Sequence, residues 1–178
     1  MKIAVYCSSS NHIADEYKLQ GYKLGQWIGE SANSLIFGGA TGGLMTSVSE
    51  GAASKNAEII GIIPQAVIKM NRQSPLCSTL VSVNTMSERK SQMKEIADIF
   101  VVLPGSYGTL DEMFDVVASG VVGEHKKPLI VVNQNNFYSD LLKQVDKMIQ
   151  EKFIPVEMYK PYVVENIENC ISILKSFC

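Results

Sequence analysis

The sequence lacks most of the features that would place it in a specialised class. It has almost no charge of one sign in excess: 16 Lys and Arg stand against 18 Asp and Glu, a formal net charge of -2. No basic footprint therefore marks a nucleic-acid partner or an anionic membrane, and any recognition of phosphate is expected to be local. Only two histidines occur, His12 and His125. Neither has a carboxylate or cysteine at ligand spacing, so both read as surface histidines and no metal site is assigned. The four cysteines, Cys7, Cys77, Cys170 and Cys178, contain no C-x-x-C pair. That spacing fits reduced thiols in a cytoplasmic protein better than a disulfide framework. Long hydrophobic runs are missing too, and Ile3-Ala4-Val5-Tyr6-Cys7 is too short for a signal segment. With no linker-like stretch in 178 residues, one domain over residues 1–178 is expected.

What is present is an alternation of short apolar runs with helical patterns. Strands are predicted from Lys2 to Cys7, Ser34 to Phe37, Ile59 to Ile63, Thr79 to Val83, Ile99 to Leu103, Pro128 to Val132 and Tyr162 to Val164. Helical patterns fall between them: Ala14 to Ser31, Leu44 to Ser54, a stretch around Glu88 to Ala97, Thr109 to Val122, Tyr138 to Glu151 and Ile167 to Phe177. The segment from Gln65 to Ser78 reads as irregular or only partly helical. Continuous apolar strands with helical crossovers predict an α/β fold, a Rossmann-like doubly wound parallel sheet with helices on both faces. Ligands in such sheets lie outside the carboxyl ends of the strands.

Several strand ends carry unusual residues. Gly38-Gly39-Ala40-Thr41-Gly42-Gly43 follows a strand and opens a helix, a turn able to wrap phosphate with its backbone or needed only for packing. It is not G-x-G-x-x-G, and no acidic residue completes a dinucleotide fingerprint. Pro104-Gly105-Ser106-Tyr107-Gly108-Thr109 is a second glycine turn, expected one strand along, so that both converge on one crevice. The residues Thr109-Leu110-Asp111-Glu112 also match a helix capping box, in which Glu112 would serve only the first turn. Either role puts Glu112 at the crevice mouth. Arg89 and Lys90 are expected in the first turn of a helix, with Arg89 arriving at the second glycine turn from the neighbouring strand end; positive charge there is mildly unfavourable, and a phosphate or sugar ligand and a solvated surface pair both remain open. Ser8, Ser9 and Ser10 suit either phosphate or a turn and cap. The methionines read as core or interface filler.

Taken together, Gly38-Gly39-x-x-x-Gly43-Leu44-Met45, Met86-x-x-Arg89-Lys90 and Pro104-Gly105-x-x-Gly108-Thr109-x-x-Glu112 resemble the LONELY GUY family, the cytokinin riboside 5′-monophosphate phosphoribohydrolases. The likeness also takes in the Cys7 to Ser10 turn, Gly123-x-His125-x-Lys127-Pro128, Tyr138-x-x-Leu141-Leu142-x-x-x-Asp146 and Lys152-Phe153-Ile154. The resemblance implies a Rossmann-like fold, usually dimeric, that hydrolyses the N-glycosidic bond of a nucleoside 5′-monophosphate such as AMP or a cytokinin riboside monophosphate. It implies Arg89 and Glu112 as the catalytic pair. It implies Lys90 and the turn Gly105, Ser106, Tyr107, Gly108 and Thr109 as nucleotide-binding positions, beside which Ser8, Ser9, Gly39, Gly43 and Met86 are further candidates for substrate or phosphate binding. No metal or redox cofactor is implied, and the expected partners are the nucleotide and a second copy of the chain, without nucleic acid or membrane. The older family label, possible lysine decarboxylase, is set aside because no lysine context suggests a pyridoxal phosphate Schiff base.

The chain departs from the family pattern at identifiable places. Ser106 stands where a second glycine is usual, Ala40 where a third glycine is usual, and Thr46 where glycine follows Leu44-Met45. Ala118, Ser119 and Val121 replace a Thr-Trp-x-Gln pattern, and Asn71 replaces a glutamate before the fourth strand. The sugar-phosphate machinery thus matches better than the base pocket. The alternative is a non-catalytic carrier of a nucleotide or phosphorylated ligand, similar to molybdenum cofactor carriers. An NAD(P)-binding oxidoreductase is disfavoured by the missing G-x-G-x-x-G.

Overall fold

The structure, a computed structural model, describes residues 1–154 and 158–177. Seven apolar segments form strands: β1 (Lys2–Tyr6), β2 (Ser34–Phe37), β3 (Ile59–Pro64), β4 (Thr79–Val83), β5 (Ile99–Val102), β6 (Leu129–Val132) and β7 (Tyr162–Val164). The helices are α1 (Asp15–Glu30), α2 (Gly43–Ala53), the short α3 (Gln65–Ile68), α4 (Met86–Ile96), α5 (Tyr107–Val121), α6 (Ser139–Gln150) and α7 (Ile167–Lys175). All strands pair in parallel in the order β4-β3-β2-β1-β5-β6-β7. This is the Rossmann-like doubly wound sheet that the alternation predicts. The chain winds outward from β1 to β4, then returns to the opposite side of β1 as β5. The reversal leaves a crevice at the carboxyl ends of β1 and β5.

Two expectations about neighbours are corrected by that order. The two glycine turns do not leave adjacent strands, because β1 lies between β2 and β5. Nor does Arg89 come from the strand next to β5: α4 starts at the sheet edge after β4 and crosses back over β3. The strand limits differ from the predicted ones by at most one residue, whereas α5 starts at Tyr107, two residues earlier than predicted.

The period-2 alternation of the strands divides the core. Ile3, Val5, Leu35, Phe37, Ile99 and Val101 face α1, α2 and α7, where they meet Leu24, Ile28, Val48 and Leu174. Ala4, Tyr6, Ile36, Ile62, Phe100 and Val102 face the other way, onto Met93, Met113 and Val116. Each face thus buries an apolar layer, the condition under which parallel strands read as unbroken apolar runs.

His125 is not the surface residue expected. It is half-buried, with its Nε2 3.0 Å from the Val116 carbonyl and its Nδ1 accepting from the Lys127 amide at 3.2 Å. Lys127 donates in turn to the Lys94 and Glu95 carbonyls at the end of α4. The Gly123 to Pro128 stretch therefore ties α5 to α4 and lies away from the crevice. Cys7, Cys77 and Cys170 are free thiols, and Cys178 lies outside the described residues. Among the described residues no helix is long and apolar enough to cross a membrane, and no cluster of three His, Cys, Asp or Glu side chains could hold a metal ion.

Candidate functional site

A cleft of about 170 Å³ opens at the carboxyl ends of four consecutive strands. Ser106, Gly108, Thr109 and Glu112 line it after β5, Cys7, Ser8 and Ser9 after β1, and Gly38, Ala40 and Met45 after β2. Pro64 ends β3, Val67 and Arg72 follow it, and Met86 with Arg89 come from α4.

At its floor is a buried ion pair. Arg89 Nη1 donates to Glu112 Oε1, and both side chains are at least nine-tenths buried. The guanidinium is fixed further by its Nε, which donates to the Ile62 carbonyl at 3.0 Å. Gly38 makes room for it, since a Cβ there would stand 2.3 Å from Arg89 Nη2. Burial pushes the Glu112 carboxyl above its ordinary range, and the Arg89 charge and hydrogen bond work against that rise. The net effect is a carboxyl that holds its proton more tightly than an ordinary glutamate, in a place where water is scarce. Burial also pushes the Cys7 thiol upward, with the Glu112 charge adding to the effect, so Cys7 stays a neutral thiol.

The turn between β5 and α5 is held from both sides. The Ser8 amide donates to the Pro104 carbonyl at 3.2 Å, and the Tyr138 hydroxyl donates to the Leu103 carbonyl at 2.9 Å. The Gly105 amide donates to that same hydroxyl, so Gly105 is spent inside the turn. A Cβ at Gly105 would meet Thr109 Oγ1 at 2.1 Å. Ser106 is extended at φ -99°, a conformation open to any residue, so the serine replaces glycine without strain. It begins α5 with no side-chain cap hydrogen bond. The first amides of a helix have no intrahelical acceptor, and these stand uncapped at the cleft with the positive end of the helix dipole. The capping box proposed for Thr109 and Glu112 does not form. Thr109 is already inside the helix and Glu112 turns to Arg89.

The first glycine turn is closed by contrast. The Gly42 amide donates to Thr46 Oγ1 at 2.7 Å, the Gly43 amide to Asn11 Oδ1 at 2.9 Å and the Met45 amide to the Ser8 carbonyl at 3.2 Å. Gly42 and Gly43 have φ of 114° and 48°, and a Cβ on either would lie 2.3 Å from the Ser9 or Ser10 carbonyl oxygen. This turn is a packing joint with the loop after β1, and Thr46 occupies an amide that glycine would have left open.

Of the residues predicted for the site, Ser8, Ser9, Met86, Arg89, Ser106, Gly108, Thr109 and Glu112 come together in the cleft. Gly39, Gly43, Gly105, Tyr107 and Lys90 do not line it. Gly39 packs on Ile63 and Leu80, and Tyr107 is 90% exposed. Lys90 Nζ lies 2.7 Å from Asp111 and Lys94 Nζ 2.8 Å from Asp115, a ladder between α4 and α5 that also takes in Ser119. Sequence reasoning missed Arg72, Pro64 and Val67. The signal was present, since all three lie at or after the carboxyl end of a strand, but the segment reads as irregular and carries no recognisable spacing.

Fold and cleft define a Rossmann-like α/β protein with a cleft at the topological switch point. A family model described as "Possible lysine decarboxylase" matches residues 45–175. A cytokinin riboside 5′-monophosphate phosphoribohydrolase of Oryza sativa subsp. japonica is 34% identical over 86% of this chain and 63% of its own length. One of Arabidopsis thaliana is 33% identical over 86% of this chain and 70% of that protein. The chain belongs to the LONELY GUY family. It spans about two thirds of the length of these relatives. Among solved structures, the molybdenum cofactor binding protein of Rippkaea orientalis superposes with a TM-score of 0.75 at 21% identity, covering 99% of this chain and 96% of that one. That likeness shows the fold. No lysine lines the cleft among the described residues, so it offers no amine for the Schiff base that a pyridoxal phosphate decarboxylase uses.

Proposed function

We propose that the chain hydrolyses the N-glycosidic bond of a nucleoside 5′-monophosphate, releasing the free base and ribose 5-phosphate. The observation that carries this is a buried Arg89–Glu112 pair beside an uncapped helix N-terminus in one cleft. The 5′-phosphate sits against the first amides of α5, with the hydroxyls of Ser8, Ser9, Ser106 and Thr109 as further donors. The ribose then lies over Glu112. As the bond from C1′ to the base nitrogen lengthens, positive charge gathers on the sugar, and the carboxylate stabilises it while orienting water. The water oxygen bonds to C1′, its proton is released, and the base leaves with the bonding electron pair and takes up a proton. Arg89 positions Glu112 and favours its ionised form. Met45, Pro64, Val67 and Met86 give the base an apolar wall.

The enzyme is further proposed to act as a cytoplasmic homodimer, for which the exposed Phe114 and Val122 on and beside α5 provide apolar contact surface. Sedimentation equilibrium reads the oligomeric state. The reaction is tested by incubating the protein with a panel of nucleoside 5′-monophosphates, AMP and isopentenyladenosine monophosphate among them, and separating the products. Base and ribose 5-phosphate in equal amounts are expected from at least one. No free base from any of them overturns the reading, and tight binding without turnover assigns the cleft to a carrier.

A further inference from the structure

Among the described residues, Arg72 is the one cation lining the cleft that no carboxylate neutralises. Arg89 is paired with Glu112, whereas Arg72 forms no ion pair among the described residues, and Glu50 of the adjoining polar groove does not reach it. It is nevertheless held in place. Asn71 turns the chain at φ 54°, and the Thr41 amide and hydroxyl donate to the Arg72 carbonyl at 2.7 and 3.2 Å. Arg72 Nη2 returns a bond of 3.0 Å to the Thr41 carbonyl. One guanidinium donor is thereby used, and the others have no acceptor among the described residues.

The sheet order says which part of a nucleotide this guanidinium meets. The open amides are at α5, after β5, while the Gly42, Gly43 and Met45 amides at the start of α2 are taken by Thr46, Asn11 and the Ser8 carbonyl. Phosphate therefore belongs at the β5 end. Neighbouring strands are about 4.8 Å apart, so the end of β3, three strands away, lies about 14 Å along the cleft. Arg89 and Glu112 stand between. That leaves the β3 end, with Pro64, Val67 and Arg72, for the base.

We infer that Arg72 is a specificity-determining residue that selects a 6-oxopurine nucleoside 5′-monophosphate. A guanidinium has donors only. The O6 and N7 of guanine or hypoxanthine present two acceptors side by side, which match its planar fork, while the 6-amino group of adenine presents donors to it. An apolar substituent on that amino group would be forced against an unpaired charge. This inference rests on the proposed hydrolysis.

The test is the ratio of kcat/KM for inosine 5′-monophosphate to that for AMP, measured on wild type, Arg72→Met and Arg72→Lys. The ratio is read within one protein, so a partly unfolded variant does not distort it. Wild type is expected to favour the 6-oxopurine by about tenfold or more, as one bidentate pair allows. Arg72→Met should bring the ratio close to one, and Arg72→Lys, which keeps charge but loses the fork, should fall between. A wild-type ratio at or below one overturns the inference. So does Arg72→Met lowering both substrates equally, which would make Arg72 a phosphate clamp. Turnover without base preference removes this inference alone; no turnover of any nucleotide removes the hydrolysis reading and this inference with it.

Discussion

The chain contains the pattern Thr-x-x-Glu twice before a helix, and the two copies do opposite things. In Thr85-Met86-Ser87-Glu88 the threonine is the N-cap of α4: its Oγ1 accepts from the Glu88 amide at 3.1 Å, while Glu88 Oε2 accepts from the Asn84 amide at 2.8 Å. That glutamate is exposed and serves its own helix. In Thr109-Leu110-Asp111-Glu112 the helix has already begun at Tyr107, so Thr109 is buried within it and Glu112 points to Arg89. What differs is the phase of the helix start, and tertiary anchors set that phase. Tyr138 and Ser8 hold the Leu103 to Gly105 turn so that Ser106 must open α5. One helix caps itself. The other leaves its first amides open at the cleft and spends its glutamate on the cleft floor.

Substitutions should separate the two copies, most strongly at the ion pair. Arg89→Met leaves Glu112 buried without its partner, and a loss of about 3–5 kcal/mol in chemical denaturation is expected. The same variant sharpens the pH dependence. Because burial raises the Glu112 carboxyl above its ordinary range, the folded state holds that proton more tightly than the unfolded chain does. The stabilising contribution of that proton is therefore present at low pH and is lost as pH rises through the raised value. Turnover runs the other way, since it needs the ionised form: it should fall as pH drops through a value above the ordinary glutamate range. Arg89→Met should move that acid limb still higher, and a limb at or below the ordinary glutamate range in wild type would contradict the burial argument.

A smaller effect is expected from Gly38→Ala. Its Cβ would displace the Arg89 guanidinium, lowering turnover about a hundredfold through misplacement at a stability cost of about 1–3 kcal/mol. Steady-state kinetics with a parallel melt separates the two. The smallest effect belongs to the capping copy. Thr85→Ala should cost about 1 kcal/mol in the melt and leave turnover unchanged; a large loss of turnover would mean that α4 cannot place Arg89 without its cap.

These contrasts also show what the residues disclose alone. Strands such as β2, β4 and β7 were legible at both ends, because an unbroken apolar run bounded by turn residues is a local property. Arg89, Glu112 and the Pro104 to Thr109 turn were legible as a constellation through their spacing. Their geometry was not. Sheet order is a long-range property, so nothing near Arg89 announces that α4 crosses from the sheet edge to meet α5. Thr46 and Asn11 close the first glycine turn through side chains whose partners are fixed only once the loop after β1 folds against it. Lys90 adjoins Arg89 in sequence, yet one step around a helix sends it to Asp111. His125 stands in the sequence among the charged residues Glu124, Lys126 and Lys127, and its role appears only when the Val116 carbonyl and the Lys127 amide come to its two nitrogens.

The most direct measurement compares Glu112→Gln with Glu88→Gln in steady-state hydrolysis of a nucleoside 5′-monophosphate, each variant checked by circular dichroism. Glu112→Gln keeps the shape of the side chain and an oxygen for Arg89 but removes the charge, so kcat is expected to fall by about 10²–10⁴ in a folded protein. Glu88→Gln should keep wild-type kcat. A folded Glu112→Gln with wild-type kcat would contradict the assignment of the glycosidic bond to this carboxylate.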